Sequence, residues 1–360
     1  MKKRILFFKS TKVFGGGEKH TLELGKIFKE NGFDIKILSD NKKFLNRTKQ
    51  EKLPSGYFYW GQEAGVRKSI IVFCLTFPWY FMKFLLVLIM ERRLGAKVVF
   101  LQSINEKILA SALARMLGMR VYWIEHLAWQ PYLIVNPLFG FLKFVSHFAT
   151  EIIVPSNFLK NQLESVGISS HKIKRIYHGV DLDKFQPPQR KETSNRVIFG
   201  YVGRFHKEKG LEYLIETAKE INGNFEIWLI GEGPQKSFLQ KNAPKNVIFF
   251  PFQEKIEKFY QKIDVFVLPT TRDNLPLTIL EAEATGLPII STKVGGIGEI
   301  VETGHNGILV KSRDVSSLAK AMSTLIKNEK LRVKMGRTSR ILAEKHSKDK
   351  MAESYQKLFE

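Results

Sequence analysis

Two carboxylates, Asp273 and Glu281, stand eight positions apart in the stretch Leu268 to Val310, and two cations, Arg204 and Lys209, lie in an earlier turn bounded by Gly203 and Gly210. Cations of this kind after a strand can neutralise a diphosphate, Arg204 as a planar fork and Lys209 as a point charge. The apolar run Val265 to Leu268 stops at Pro269, and a polar loop carries Asp273. A helix is expected to open near Pro276, run through Glu281 and reach about Thr285, where Gly286 ends it. Ligands of an open parallel sheet sit outside the carboxyl ends of its strands, so Asp273 is expected at a ligand rim and Glu281 one to two turns into the helix. The backbone N–H groups of Leu277 and Thr278, unpaired at a helix start whose dipole favours negative charge, offer a further place for an anion.

The first half carries a second set. Gly15, Gly16, Gly17 and Glu18 follow the apolar run Ile5 to Phe8 and precede a helical pattern, where glycine lets backbone N–H groups approach a ligand closely. Standing alone, such a loop is equally an ordinary tight turn. His126 comes after the run Val121 to Ile124, beside Glu125 and shortly before Trp129; without context a histidine there reads as structural.

Together these residues resemble the family-4 retaining glycosyltransferases of the GT-B fold. The resemblance rests on the two acids before a small-residue, Gly, x, Pro run, on Val294-Gly295-Gly296 followed by Glu299, and on Asn306-Gly307 before an apolar strand. It extends to the Gly-Gly-x-Glu of Gly15, Gly16 and Glu18, to Gly203-Arg204 followed by Lys209-Gly210, to Gly231-x-Gly233-Pro234, and to His178-Gly179-Val180-Asp181, where His replaces the family's Asn. The first acid is usually Glu and here is Asp273, one methylene shorter; Pro251 stands where the family often has Gly.

The resemblance implies two Rossmann-like doubly wound α/β domains facing across a cleft, and a donor, a nucleotide-diphosphate sugar, held by the second. Donor-binding roles fall to Gly15, Gly16, Glu18, Arg204, Lys209, Asp273, Leu277, Thr278 and Glu281, with Glu281 on the ribose. Catalytic roles fall to His126, Asp273, Arg204 and Lys209. No metal and no separate cofactor is expected, and Asp181-Leu182-Asp183 is not read as a metal motif because it lies on the hinge side. The acceptor is expected to be a glycan or a lipid-linked glycan in cell-surface polysaccharide synthesis. A nucleotide-sugar epimerase of the same fold is an alternative reading, as is a non-enzymatic basic protein that binds nucleic acid, though no nucleic-acid partner is expected.

The elements that must position these residues show in the apolar pattern. Short runs, Ile5 to Phe8, Ile35 to Leu38, Val98 to Leu101, Val121 to Ile124 and Ile152 to Val154, alternate with helical stretches, as in a doubly wound sheet. The second half repeats this with Val197 to Tyr201, Phe225 to Ile230, Val247 to Phe250, Val265 to Leu268, Pro288 to Ser291 and Gly307 to Val310. The stretch Lys184 to Asn195, with paired prolines and charges, suits neither a core strand nor a periodic helix. The expected division is therefore a first domain 1–184, a linker 185–195, a second domain 196–345 and a terminal helix 346–360 that crosses back onto the first domain.

At 360 residues and 44% hydrophobic content the chain affords two globular cores, and its single cysteine, Cys74, fits a reducing compartment. The run Ile5 to Phe8 is too short for a signal-peptide core, so a cytoplasmic protein is expected. The net charge of +22 suits an anionic partner, whether nucleic acid, phospholipid or a phosphorylated substrate. Ile70 to Met90 is long and apolar enough for a bilayer span, but the strands on either side belong to one sheet. It is read as a helix lying in the interface of an anionic membrane, flanked by Arg67, Lys68, Arg92 and Arg93 and placing the protein at the inner face of the cytoplasmic membrane. A core helix and a true span are the alternatives.

Overall fold

The computed structural model describes residues 3–11, 15–61, 67–126, 138–188 and 196–359, with side chains of 67–70 and of 138 left aside. The chain divides into two compact units, Met1–Ile176 and Tyr177–Glu360. This division falls before the expected 184, because Val180 and Phe185 are already buried in the core of the second unit. Of the expected linker, 189–195 lies outside the described residues.

The first unit is a parallel sheet of β1 (Arg4–Phe8), β2 (Asp34–Ser39), β3 (Ser55–Tyr57), β4 (Ala96–Leu101), β5 (Arg120–Ile124), β6 (Glu151–Val154) and β7 (Ile173–Arg175), in the order β3-β2-β1-β4-β5-β6-β7. Its central strands read as continuous apolar runs because helices cover both faces of a parallel sheet. Alternation within β1 shows this: Phe7 stacks on Phe100 at 4.9 Å between ring centroids, while Phe8 lies 5.0 Å from Phe84 in a separate cluster with Trp60. β3 and β7 were not expected. Three residues each, at the sheet edges, they carry no apolar run long enough to announce a strand.

The second unit is a parallel sheet of β8 (Val197–Val202), β9 (Phe225–Ile230), β10 (Val247–Phe250), β11 (Val265–Leu268), β12 (Ile289–Thr292) and β13 (Gly307–Val310), in the order β10-β9-β8-β11-β12-β13. Each lies within a residue or so of its expected run. This is the doubly wound order with one reversal, between β8 and β11, and the crevice outside their carboxyl ends is where such sheets take ligands. The first unit reverses in the same way between β1 and β4.

The helix Arg67–Arg93 is not a core helix: Leu75 is 78% exposed and Trp79 68%. The C-terminal helix Lys348–Gln356 belongs to the second unit, tied there by Val180 N–H to the His346 carbonyl at 2.8 Å and Lys348 N–H to the Val180 carbonyl at 2.9 Å.

A buried polar knot secures the β12 to β13 half of the second sheet. Asn306 donates to Glu283 Oε1 at 3.0 Å and to the Ile300 carbonyl at 2.9 Å, and accepts from Glu302 N–H at 2.8 Å. The other oxygen of Glu283 meets His346 Nδ1 at 3.1 Å, and burial holds the Glu283 carboxyl above its ordinary range against that hydrogen bond. Asn306→Ala would strip a hydrogen bond from each of two buried residues, Glu283 and Ile300, and a third from Glu302 N–H, so it is expected to destabilise the second unit by about 3 kcal/mol. Urea unfolding measures this; a loss below about 1 kcal/mol would show that the knot is not a determinant of stability.

Candidate functional site

At the reversal of the second sheet, the turn after β8 is bound to the loop after β11. The Glu208 carbonyl accepts from Thr271 N–H at 2.7 Å, Thr270 Oγ1 at 2.8 Å and Thr271 Oγ1 at 3.1 Å. Gly210, in the left-handed region at φ 65°, passes so close that a Cβ would stand 2.2 Å from the Pro269 carbonyl oxygen, so no other residue fits there without moving the loop. Gly295, at φ 55°, does the same against Asp273, where a Cβ would meet the carbonyl oxygen at 2.0 Å, and Gly296 N–H donates to the Asn274 carbonyl at 2.8 Å. The loop bearing Asp273 is thus held by backbone from two sides.

The outcome is an ion pair between Lys209 Nζ and Asp273 Oδ2, with side chains 18% and 13% exposed. Arg204 is exposed on the same turn, its carbonyl held by the Tyr201 hydroxyl at 2.8 Å. A second, more exposed pair joins Arg272 to Glu208 at 3.2 Å. The helix after this loop runs Leu277–Ala284, with Pro276 at its cap and Gly286 past its end at φ 74°, as expected. Leu277 and Thr278 form its first turn and are half-buried.

Glu281 lies just over one turn into the helix, as expected, and is 5% exposed, its Oε2 accepting from the Tyr260 hydroxyl at 2.9 Å. Burial, and then the neighbouring Glu281 charge, push the Tyr260 hydroxyl well above its ordinary value, so it remains a donor. Tyr260 carried no motif by which the sequence could single it out.

In the first unit, Gly15 caps the helix Gly16–Glu30, and Glu18 reaches back to accept from Gly15 N–H at 2.7 Å. The same carboxylate pairs with buried Lys9 at 3.3 Å. Gly17 abuts His126: a Cβ would stand 3.1 Å from the ring. The loop ends after β1, β4 and β5 therefore converge on this histidine. Gln102 Oε1 lies 3.3 Å from His126 Nε2, within hydrogen-bonding reach of the ring. Gln102 also accepts from Thr21 at 2.8 Å, and His20 stands edge-on to His126 at 5.0 Å. Beneath them Lys107 and Glu125 form a buried pair at 2.7 Å. Sequence reasoning named Gly15, Gly16, Glu18 and His126 but not Lys9, Gln102 or Lys107, whose only signal was a polar residue directly after, or one helical turn beyond, an apolar strand. Trp129 lies outside the described residues.

Asp181 accepts from Lys184 N–H at 2.9 Å and Asp183 N–H at 3.0 Å and pairs with Lys348 at 3.0 Å. Burial opposes its ionisation, but these donors outweigh it and hold its carboxyl below the usual range. It is a turn and tether residue.

Sequence comparison agrees with the two-unit reading. Residues 14–184 match the family described as Glycosyltransferase Family 4, and residues 183–341 match that described as Glycosyl transferases group 1. An uncharacterised glycosyltransferase of Methanocaldococcus jannaschii is 30% identical over 61% of this chain and 62% of its own length. The capsular polysaccharide biosynthesis glycosyltransferase CapM of Staphylococcus aureus is 30% identical over 52% of each. The chain thus spans about half to three fifths of the length of the curated relatives it matches. Among solved structures, Anabaena HepE in complex with UDP superposes with a TM-score of 0.84 over 100% of this chain and 99% of its own, at 17% identity, a likeness of fold.

The geometry makes a prediction independent of any ligand. Because Lys209 and Asp273 are partly buried and held by separate backbone segments, a double-mutant cycle with Lys209→Met and Asp273→Asn should give a coupling of about 1–2 kcal/mol in urea unfolding. Additive effects would mean that the pair does not persist in solution.

Proposed function

The chain belongs to the family-4, group-1 glycosyltransferases of the GT-B fold, two Rossmann-like domains, and from that premise we propose that it is a retaining enzyme moving a sugar from a nucleotide-diphosphate donor to a glycan or lipid-linked acceptor in polysaccharide synthesis. The observation that carries this reading is the backbone clamp at the β8 to β11 reversal, which sets Lys209, Arg204 and the start of the helix Leu277–Ala284 on one rim of the second unit. UDP bound to HepE, a protein of the same fold, supports a nucleoside diphosphate as the ligand type.

Bond cleavage between the sugar C1 and the β-phosphate oxygen leaves charge on the diphosphate. Arg204, Lys209 and the N–H groups of Leu277 and Thr278 counter it, more strongly as it grows, which is the condition for accelerating the step. The new bond forms between C1 and the acceptor oxygen on the same face, and the departing phosphate oxygen takes the acceptor's proton, so the mechanism requires no protein nucleophile. These cations supply the counter-charge, and the reading assigns the site no metal. Glu281, fixed by Tyr260, accepts from the ribose hydroxyls. Asp273, steadied by Lys209, takes hydroxyls of the donor sugar, and His126 keeps the sugar-facing role that the family resemblance gives it. Gly15, Gly16 and Glu18 take the diphosphate side.

Screening nucleoside diphosphates and their sugars for thermal stabilisation tests the donor assignment, since a ligand that binds only the native state raises its stability by mass action. Lys209→Ala is expected to lower turnover at saturating donor by about a hundredfold or more while leaving the fold intact. Near-normal turnover would remove Lys209 from the mechanism. Glu281→Ala should weaken binding of the free nucleoside diphosphate in calorimetry more than it slows bound substrate, because ribose contacts are made about equally in ground and transition states. Unchanged affinity would show that Glu281 is not the ribose ligand.

A further inference from the structure

The helix Arg67–Arg93 joins β3 to β4, so both of its ends return to one sheet and it packs on that sheet's face beside the helix Ile104–Met116. Its inner side supplies Phe73, Phe84 and Leu88 to the core. The outer side of a surface helix is ordinarily polar. Here the outer positions fall at helical spacing and are all apolar: Ile71, Leu75, Trp79, Met82, Leu86 and Met90, each at least half exposed. At 1.5 Å per residue this stripe is about 28 Å long. Among the described residues, it is the one helix long and apolar enough to cross a membrane, yet its attachment to the sheet at both ends argues against crossing.

Charge is sorted around this face. Lys83, the single ionic residue between Ile71 and Met90, turns away from the stripe, donating to the Tyr59 carbonyl at 2.9 Å and lying over the Phe58 and Tyr80 rings. Glu91, Glu106 and Glu125, the only acids from 67 to 126, are all buried. Exposed cations gather at the helix's C-terminal end: Arg93, and Arg115 at the end of the neighbouring helix, which Arg92 joins by donating to the Leu117 carbonyl at 3.0 Å. The helix Leu138–Val145, in the same layer, adds the exposed pair Phe141 and Phe144.

We propose that this face is a docking surface for an anionic phospholipid bilayer, with the helix Arg67–Arg93 lying in the plane of the interface. Apolar side chains insert among the upper acyl chains while Arg93 and Arg115 meet lipid phosphates. Trp79, Tyr80 and Tyr59 suit the headgroup level, where amphipathic rings collect. Pro78 leaves the Cys74 carbonyl without its helical donor, a group that the wet interface can satisfy and the hydrocarbon core cannot. A second copy of the chain is disfavoured as the occupant, since two such faces would bring like charges together with no exposed acid to pair them.

The protein's only cysteine, Cys74, is exposed on this helix and serves as the probe position. Full-length protein labelled there with an environment-sensitive fluorophore is mixed with phosphatidylglycerol-containing and pure phosphatidylcholine vesicles across a salt series, with co-sedimentation of unlabelled protein in parallel. The expected result is a blue shift and pelleting with anionic vesicles that fall as salt rises. Leu75→Glu/Trp79→Glu and Arg93→Glu/Arg115→Glu, all surface changes checked by unchanged thermal unfolding, should each weaken binding at least about tenfold. Binding unaffected by either double variant, no binding to anionic vesicles, or a concentration-dependent blue shift without lipid accompanied by dimers in ultracentrifugation would overturn the proposal. So would resistance to alkaline extraction, which marks a true span. None of these readouts depends on turnover, so they stand apart from the test of the donor site.

Discussion

Three hydrogen bonds to the single carbonyl of Glu208 tie the turn after β8 to the loop after β11, and the meeting of Lys209 with Asp273 at the second unit's site follows from them. Strands at the reversal of a doubly wound sheet have helices leaving to opposite faces, so the crevice between their ends would otherwise be lined by two independent loops. Joining them through backbone rather than side chains gives the crevice one rigid wall. Gly210 and Gly295 are the steric counterpart, since each lets one strand's loop come within a distance that a Cβ would forbid. Lys209 and Asp273 then meet because their backbones are already placed, and the ion pair is the product of the clamp rather than its cause.

The buried charges have a different logic. Removing two ions from water costs about as much as their attraction returns, so pairs such as Lys107 with Glu125 or Lys9 with Glu18 are weak contributors to net stability. Their geometry is what they contribute. Lys107 also donates to the Gln102 carbonyl at 3.2 Å, and Gln102 in turn faces His126, so a rigid polar layer beneath the loops sets the orientation of that ring. In the second unit Tyr260 plays a comparable part for Glu281.

What the sequence disclosed follows from how each feature is encoded. The central strands of both sheets were legible because burial on two faces demands unbroken apolar runs. The edge strands Ser55–Tyr57 and Ile173–Arg175 were not, since three residues with one neighbour need no such run. At the site, the residues set by backbone geometry carried glycine-bearing motifs and could be read: Arg204, Lys209, Asp273 and the start of the helix at Leu277. The supporting side chains could not. Tyr260 reaches Glu281 from the short helix Glu257–Tyr260, and Gln102 reaches His126 from the end of a different strand, contacts that exist only once the sheet order is known. The compact units divide at Ile176, before the expected 184 at which the two family matches meet, because Phe185 sits among polar and proline residues in sequence while being buried with the second unit's core.

The same distinction explains why the helix Arg67–Arg93 could be recognised as unusual yet not resolved from sequence. Apolar residues on all sides of a helix are compatible with a core, a span or an interface, and periodicity cannot separate them when every position is hydrophobic. The fold separates them by its connections. A helix whose two ends lead into parallel strands of one sheet is held to that sheet's face, so one side is buried against the unit's core and the other is left facing outward. An all-round apolar composition on a helix so constrained requires an explanation for the outward side alone, and the burial of each acid between 67 and 126, with Arg93 and Arg115 left exposed, gives that side the charge of a surface suited to anionic lipid.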